Sequence, residues 1–324
     1  MASTRITLVG CGPTGILLGL AIKAADKSIE IIAHDRERSE ARDAIRLKAA
    51  DREEWNLPKA CTGAALVLVT APPDQAELTL EAIGPVLTPG ATVCVVGGSN
   101  VALQALAAKH LPESIGFVSS SLVLHPALAD APMGPERLKG AMWSLVGRGT
   151  PEQLGGFAGF VESLGARPLF VDPLERDGMA IAVDVLPQAL AGILMATVSK
   201  DIAWRERMWA AGADFGAATA SAVGAPALVE AMLTDKATTV HWLNELMREC
   251  MALRDEIAAG DGDAARARLA QAAEQREKWF AEWRKGRESG APPVDQQQGG
   301  RSIMGLFLGQ RMADMLSRKP RDGK

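Results

Sequence analysis

Arg5-Ile6-Thr7-Leu8-Val9-Gly10-Cys11-Gly12-Pro13-Thr14-Gly15-Ile16-Leu17-Leu18-Gly19 is the stretch on which the reading of the fold turns. Ile6–Gly10 is a short apolar run of strand type, and 14–25 has the length and apolar content of a helix. Between them stands Gly-x-Gly-x-x-Gly, with glycines at Gly10, Gly12 and Gly15. In that pattern Gly10 permits the tight turn, Gly12 lets the backbone approach a pyrophosphate, and Gly15 allows close packing of helix on strand. Pro13 and Thr14 open the helix, whose free N–H groups and partial positive charge then face the phosphates. A second apolar run, Ile29–His34, ends in Asp35, and a carboxylate at that point accepts hydrogen bonds from a ribose 2′-hydroxyl. The pattern predicts a dinucleotide site at Gly10, Gly12, Pro13, Thr14, Gly15 and Asp35, with NAD as the cofactor. Asp35 repels a 2′-phosphate, yet Arg36 and Arg38 follow at once and could hold one, so NADP stays open. The plainer reading of those arginines is that they are solvated cations opening a helix.

Outward from this unit, apolar runs alternate with helical segments as far as about Val171. Ala64–Thr70, Thr92–Val96, Gly116–Leu124, Ala141–Val146 and Arg167–Val171 read as further strands, and 36–52, 74–86 and 101–110 as helices. Such alternation means βαβ units and a mostly parallel sheet. After Pro173 the strand-like runs stop. Long Ala/Leu/Met-rich stretches of helical period follow at 174–201, 203–223, 226–259 and 264–285. The expected fold class is α/β, a Rossmann-like mostly parallel sheet followed by an all-α C-terminal dimerisation domain. The predicted domains are 1–172 for dinucleotide binding, 173–287 for the helical part, and 288–324 for a flexible linker and a short amphipathic tail. Met, Trp and Leu stripes on the helices read as core or as the interface of a homodimer. In the tail, PPVDQQQGG reads as linker, and 303–316, with Arg301, Arg311, Arg318 and Lys319 around it, as a short amphipathic helix. That helix would dock on its own or a partner subunit, with a membrane surface as the alternative.

Composition narrows the function classes. The chain has 324 residues, 48% of them hydrophobic and 23% charged, with 35 Lys and Arg against 39 Asp and Glu. A net charge of −4 calls for no basic face, so neither nucleic acid nor an anionic membrane is an expected partner. The longest apolar stretch, Leu186 to Val198, is interrupted by Pro187 and Gln188 and is short for a membrane span. The N-terminus enters a strand directly, without a signal-like segment, and a cytoplasmic setting is expected. Four cysteines and four histidines are scattered without ligand spacing, so no metal is expected.

Chemistry belongs at the carboxyl ends of the parallel strands. The run Thr92–Val96 leads into Gly97-Gly98-Ser99, and the run to Leu124 leads into His125-Pro126. Oxidising an alcohol with NAD needs a base for the hydroxyl proton as hydride leaves, and a neutral imidazole suits that near pH 7. His125 is the candidate base, with Ser99 to orient imidazole and substrate. The alternatives are a strand-end histidine bonded to backbone and a serine that only caps the next helix.

These residues resemble the prephenate/arogenate dehydrogenase family, whose members oxidise a cyclohexadienol with NAD(P) and release CO2 in tyrosine biosynthesis. The matching features are the glycine loop, Asp35, Gly98-Ser99 and His125-Pro126. Glu175-Arg176-Asp177 is similar to the family's Glu-His-Asp step, and Asp184-Val185-Leu186-Pro187-Gln188 to its Ser-His-Leu-Pro-His helix. The stretch Ala225–Leu228 with Asp235-Lys236 is similar to its Asp-Pro-Glu-Leu-Trp and Asn-Lys. The resemblance spans about 5–284 and implies His125 as acceptor of the substrate hydroxyl, assisted by Ser99, with Asp184 and Gln188 at substrate positions.

Departures fall on the substrate side. The family's Phe-Arg-Asp-x-Thr-Arg reads Phe215-Gly216-Ala217-Ala218-Thr219-Ala220 here, so the arginine that holds a substrate carboxylate is Gly216. Its second Leu-Pro-His histidine is Gln188, and the lysine of its Ser-Val-Lys step is absent at Ser99-Asn100-Val101. Losing a charge-assisted arginine pair forfeits about 1.5–3 kcal/mol. Lys200, Arg205 and Arg207 are the cations near enough in sequence to substitute. Three readings result: a dehydrogenase acting on prephenate or arogenate, the same scaffold acting on a less anionic hydroxy compound, and a dinucleotide-binding regulatory protein without turnover.

Overall fold

The computed structural model describes residues 4–128, 131–222 and 225–288. The linker and tail read from the sequence beyond Glu288 lie outside the described residues. Two compact units are present, one holding the described residues up to Val171 and those from Trp279 on, the other Asp172–Lys278.

The first unit is an eight-stranded sheet: β1 (Arg5–Val9), β2 (Glu30–His34), β3 (Arg52–Glu53), β4 (Leu66–Val69), β5 (Thr92–Val96), β6 (Gly116–Val123), β7 (Met142–Arg148) and β8 (Arg167–Phe170). Their order is β3-β2-β1-β4-β5-β6-β7-β8, parallel throughout except at the β6–β7 pair. The chain therefore winds one way from β1 to β3 and the other way from β4 onward. The topological switch point lies between β1 and β4, where open sheets of this class take their ligands. Strand side chains alternate between two apolar clusters. Ile6, Leu8, Leu66, Leu68 and Cys94 face one, and Val9, Val67, Val69, Val93 and Val95 the other. Burial on both faces is the reason these strands read as unbroken apolar runs rather than alternating ones.

Helices cover both faces. Residues of α1 (Pro13–Ala25), α2 (Arg38–Arg46) and α6 (Pro151–Ser163) join the first cluster. Those of α3 (Leu57–Cys61), α4 (Ala76–Ile83) and α5 (Asn100–His110) join the second. The helix predicted over 36–52 ends early, because Lys48 takes a left-handed φ of 64° and the following chain turns back to pair as β3. Asp51 fixes that return by accepting from Ile31 N–H at 2.8 Å. Helix α6 escapes a reading by propensity because it holds three glycines. Its start is nevertheless written in Thr150-Pro151-Glu152-Gln153, a complete capping box with Pro at the first helical position.

The second unit is all helical: α7 (Pro173–Ala180), a π-helical turn (Ile181–Val185), α8 (Leu186–Ser199), α9 (Trp204–Arg207), α10 (Ala213–Thr219), α11 (Ala225–Thr234), α12 (Lys236–Ala258) and most of α13 (Gly262–Glu288). The stretch 203–223, expected as one helix, is broken at Gly212, whose extended backbone starts α10. The stretch 226–259 is divided at Asp235, whose carboxylate caps α12 by accepting from Thr238 N–H at 3.1 Å. Pro173–Ser199 runs as 27 continuous helical residues and holds an 18-residue window of mean hydropathy 1.8, long and apolar enough to cross a membrane by length and composition alone. The sequence reading stopped at Leu186 because Glu175, Arg176, Asp177 and Asp184 interrupt the apolar run.

Candidate functional site

The glycine loop leaves the carboxyl end of β1, and each of its glycines has a separate physical reason. Gly10 holds φ at +95°, and a Cβ there would stand 2.4 Å from Ala71 N. A Cβ at Gly15 would stand 2.2 Å from Gly10 O, so helix and turn touch only because it is absent. At Gly12 nothing lies within 4 Å of an added Cβ, so the backbone there is open to an approaching ligand. Gly12 is the N-cap of α1 without a side-chain cap, no acidic side chain stands in the first turn, and Pro13 brings no N–H. The Thr14 and Gly15 amides therefore remain as donors for phosphate oxygens.

Asp35 closes the loop from the neighbouring strand. Its Oδ2 accepts from Cys11 N–H at 2.7 Å and its Oδ1 from Glu37 N–H at 2.9 Å. Each carboxylate oxygen keeps a lone pair, which fits the acceptor role expected toward a ribose hydroxyl. Arg36 is exposed, while Arg38 pairs with Glu53 at 3.0 Å. The β4 end adds Thr70, whose Oγ1 donates to Gly10 O at 2.6 Å and pins the turn from below. Sequence reading missed Thr70, although its place after an apolar strand was legible. Cys11 is fully buried under the loop, and burial, with Asp35 adding to it, pushes its thiol up to about 12.

Further along the same edge, β5 ends in Gly97 and Gly98, at φ +97° and +87°, before Ser99. Ser99 is the N-cap of α5, its Oγ accepting from Ala102 N–H at 3.2 Å. The capping alternative is thus present. In the register Val96 lies opposite Ser120, so Ser99 and His125 leave the carboxyl ends of adjacent parallel strands. His125 is 1% exposed. Its ring meets Trp283, from the last turns of α13, at 5.3 Å between centroids and 78° between planes. Trp283 belongs to the first unit, as does the rest of the described chain from Trp279. Sequence reading gives all of 173–287 to the helical domain and its Trp stripe to core or dimer interface, whereas the residues from Trp279 on cluster with the sheet unit.

The other histidines take no part. His34 Nδ1 lies 2.9 Å from Glu54 O, His110 Nε2 lies 3.2 Å from Glu77, and His241 lies against Trp242 at 5.3 Å. Among the described residues no cluster of His, Cys, Asp and Glu could hold a metal.

Substrate-side candidates lie on the helical unit. Asp184 stands in the π-helical turn and pairs with Arg176 at 3.0 Å. Gln188 Nε2 donates to Asp184 O at 2.9 Å. Arg176 is 7% exposed. An added Cβ at exposed Gly216 meets nothing within 4 Å. Of the substitutes, Arg207 pairs with Asp201 at 2.6 Å beside an open cleft lined by Trp204, Asp214 and Phe215, Lys200 caps α8, and Arg205 is exposed.

Residues 18–146 match the family described as prephenate dehydrogenase, nucleotide-binding domain. Synechocystis arogenate dehydrogenase is similar in structure with a TM-score of 0.61 and 18% identity, over 85% of this chain and 100% of that one. Prephenate dehydrogenase from A. aeolicus, in complex with hydroxyphenyl propionate and NAD+, gives 0.68 and 17%, over 86% and 99%. A putative prephenate dehydrogenase from Corynebacterium glutamicum gives 0.59 and 18%, over 87% and 97%. No curated protein matches. The structural likenesses show a shared fold that includes the helical part.

Proposed function

We propose that this chain, a divergent member of the prephenate dehydrogenase family in its nucleotide-binding domain, is an NAD-dependent dehydrogenase of a cyclohexadienol carboxylate such as prephenate or arogenate. The observation that carries the reading is the glycine loop with Asp35 and His125 on one carboxyl edge of the sheet, Gly12 open and Asp35 tied to the loop. Thr14 and Gly15 N–H groups hold the pyrophosphate, and Asp35 takes a ribose hydroxyl and favours NAD over NADP. When bound, the nicotinamide supplies the hydride acceptor. His125 takes the proton of the substrate hydroxyl, leaving a ring carbonyl, and Ser99, leaving the end of the adjacent strand, orients the substrate. Loss of CO2 then restores an aromatic ring, so the protein's work is orientation and proton acceptance.

A less anionic hydroxy substrate is the second reading. It is favoured by Gly216, where the arginine of the family pattern is absent, and by Arg207 being held by Asp201. In both readings two copies pair through the helical unit. Only 22% of the apolar window in Pro173–Ser199 is buried within one chain, and Leu190 and Ile193 stand on its open face.

Formation of reduced nicotinamide with prephenate and with arogenate, each offered with NAD and NADP, tests the reading. Turnover on either compound supports the first form. Calorimetric NAD binding with no turnover on both removes the tyrosine-pathway assignment and leaves the second. No binding of either dinucleotide overturns the proposal.

A further inference from the structure

We propose that Trp283 is a positioning residue for His125, the indole fixing the plane of the imidazole that accepts the substrate proton. The inference rests on the reading of His125 as proton acceptor, and its observations are separate from the glycine loop. His125 follows the end of β6. The near-perpendicular indole at 5.3 Å restrains its ring, because an edge set against a ring face resists rotation about χ2. An imidazole 1% exposed is also screened from bulk water. Phe280, one helical turn before Trp283, and Trp279, in edge contact with Phe280 at 4.8 Å, form the aromatic end of α13 from which the indole projects.

Three variants of the full chain separate positioning from simple space-filling. In W283F the aromatic contact survives, and kcat with NAD and prephenate or arogenate stays within about 2-fold of the parent. W283L keeps apolar bulk without the ring quadrupole. Its kcat falls about 3- to 10-fold while KM and the Kd for NAD are unchanged, the scale of one aromatic contact. W283A falls at least as far. Full kcat in W283L, or a loss confined to KM or to thermal stability, overturns the proposal.

A readout that needs no turnover keeps the test apart from the proposed reaction. The imidazole C–H resonances of His125, assigned by their loss in H125N, should carry the ring-current shift of an indole whose centroid lies 5.3 Å away and should return toward ordinary imidazole positions in W283L. Resonances unmoved in W283L overturn the pairing. Resonances that move as expected in a protein that turns over neither compound support the pairing and count against the proposed reaction alone.

Discussion

Asp35 ties the glycine loop to β2 through its bonds to Cys11 and Glu37 N–H, and the proposed function adds a second job, acceptance of a ribose hydroxyl by its spare lone pairs. Asp35→Ala should therefore weaken NAD and relax discrimination against NADP, read by calorimetry with both dinucleotides; an unchanged preference would show that the carboxylate serves the loop alone. His125→Asn should lower turnover ~10²–10⁴-fold with NAD affinity retained, the scale of a lost general base, and equal turnover would remove its catalytic role. The cysteines give a prediction independent of the reaction. Burial pushes the thiols of Cys11, Cys61 and Cys94 up to about 12, whereas Cys250 is exposed. Ellman's reagent should label Cys250 in the native protein and all four cysteines after denaturation. The sign of the linkage follows: the folded state keeps three protons that the unfolded chain releases near pH 9. Stability is retained below that pH and falls as pH rises from about 9 toward 12, readable as a decline in Tm.

At the scale of elements, termini decide more than interiors. Helix α1 has no side-chain cap at its N-terminus, which leaves its first amides for a ligand, whereas α6 is held by a capping box and α12 by Asp235. Thr150→Ala removes one half of the box on a helix weakened by three glycines. It should cost about 1 kcal/mol, a Tm shift of a few degrees with unchanged NAD binding. The same logic explains where element reading from sequence fell short. Periodicity located the central strands, but the end of α2 depends on a left-handed Lys48 and on a β3 of two residues that only pairing with β2 defines. The breaks at Gly212 and Asp235 were local signals, and both lay inside longer apolar patterns that masked them.

For the whole molecule, the open apolar face of the helical unit is the main feature one chain leaves unexplained. If two copies cover it, gel filtration gives a dimer, and Ile193→Lys, placing a charge on α8 where Ile193 is 48% exposed, shifts it to monomer without loss of the sheet unit's NAD binding. A monomeric parent protein would remove the dimer. By itself the sequence determined the strand–loop–helix unit, the switch to helices after Pro173 and the two strand-end candidates. Glycine spacing and apolar runs are local consequences of backbone geometry and burial on both faces. Tertiary structure alone decided that Thr70 pins the loop, that Arg176 and Asp184 form a pair, and that Trp283 meets His125, 158 positions earlier in the chain. Contacts between residues so far apart are fixed by how elements pack, and no spacing along one segment encodes them.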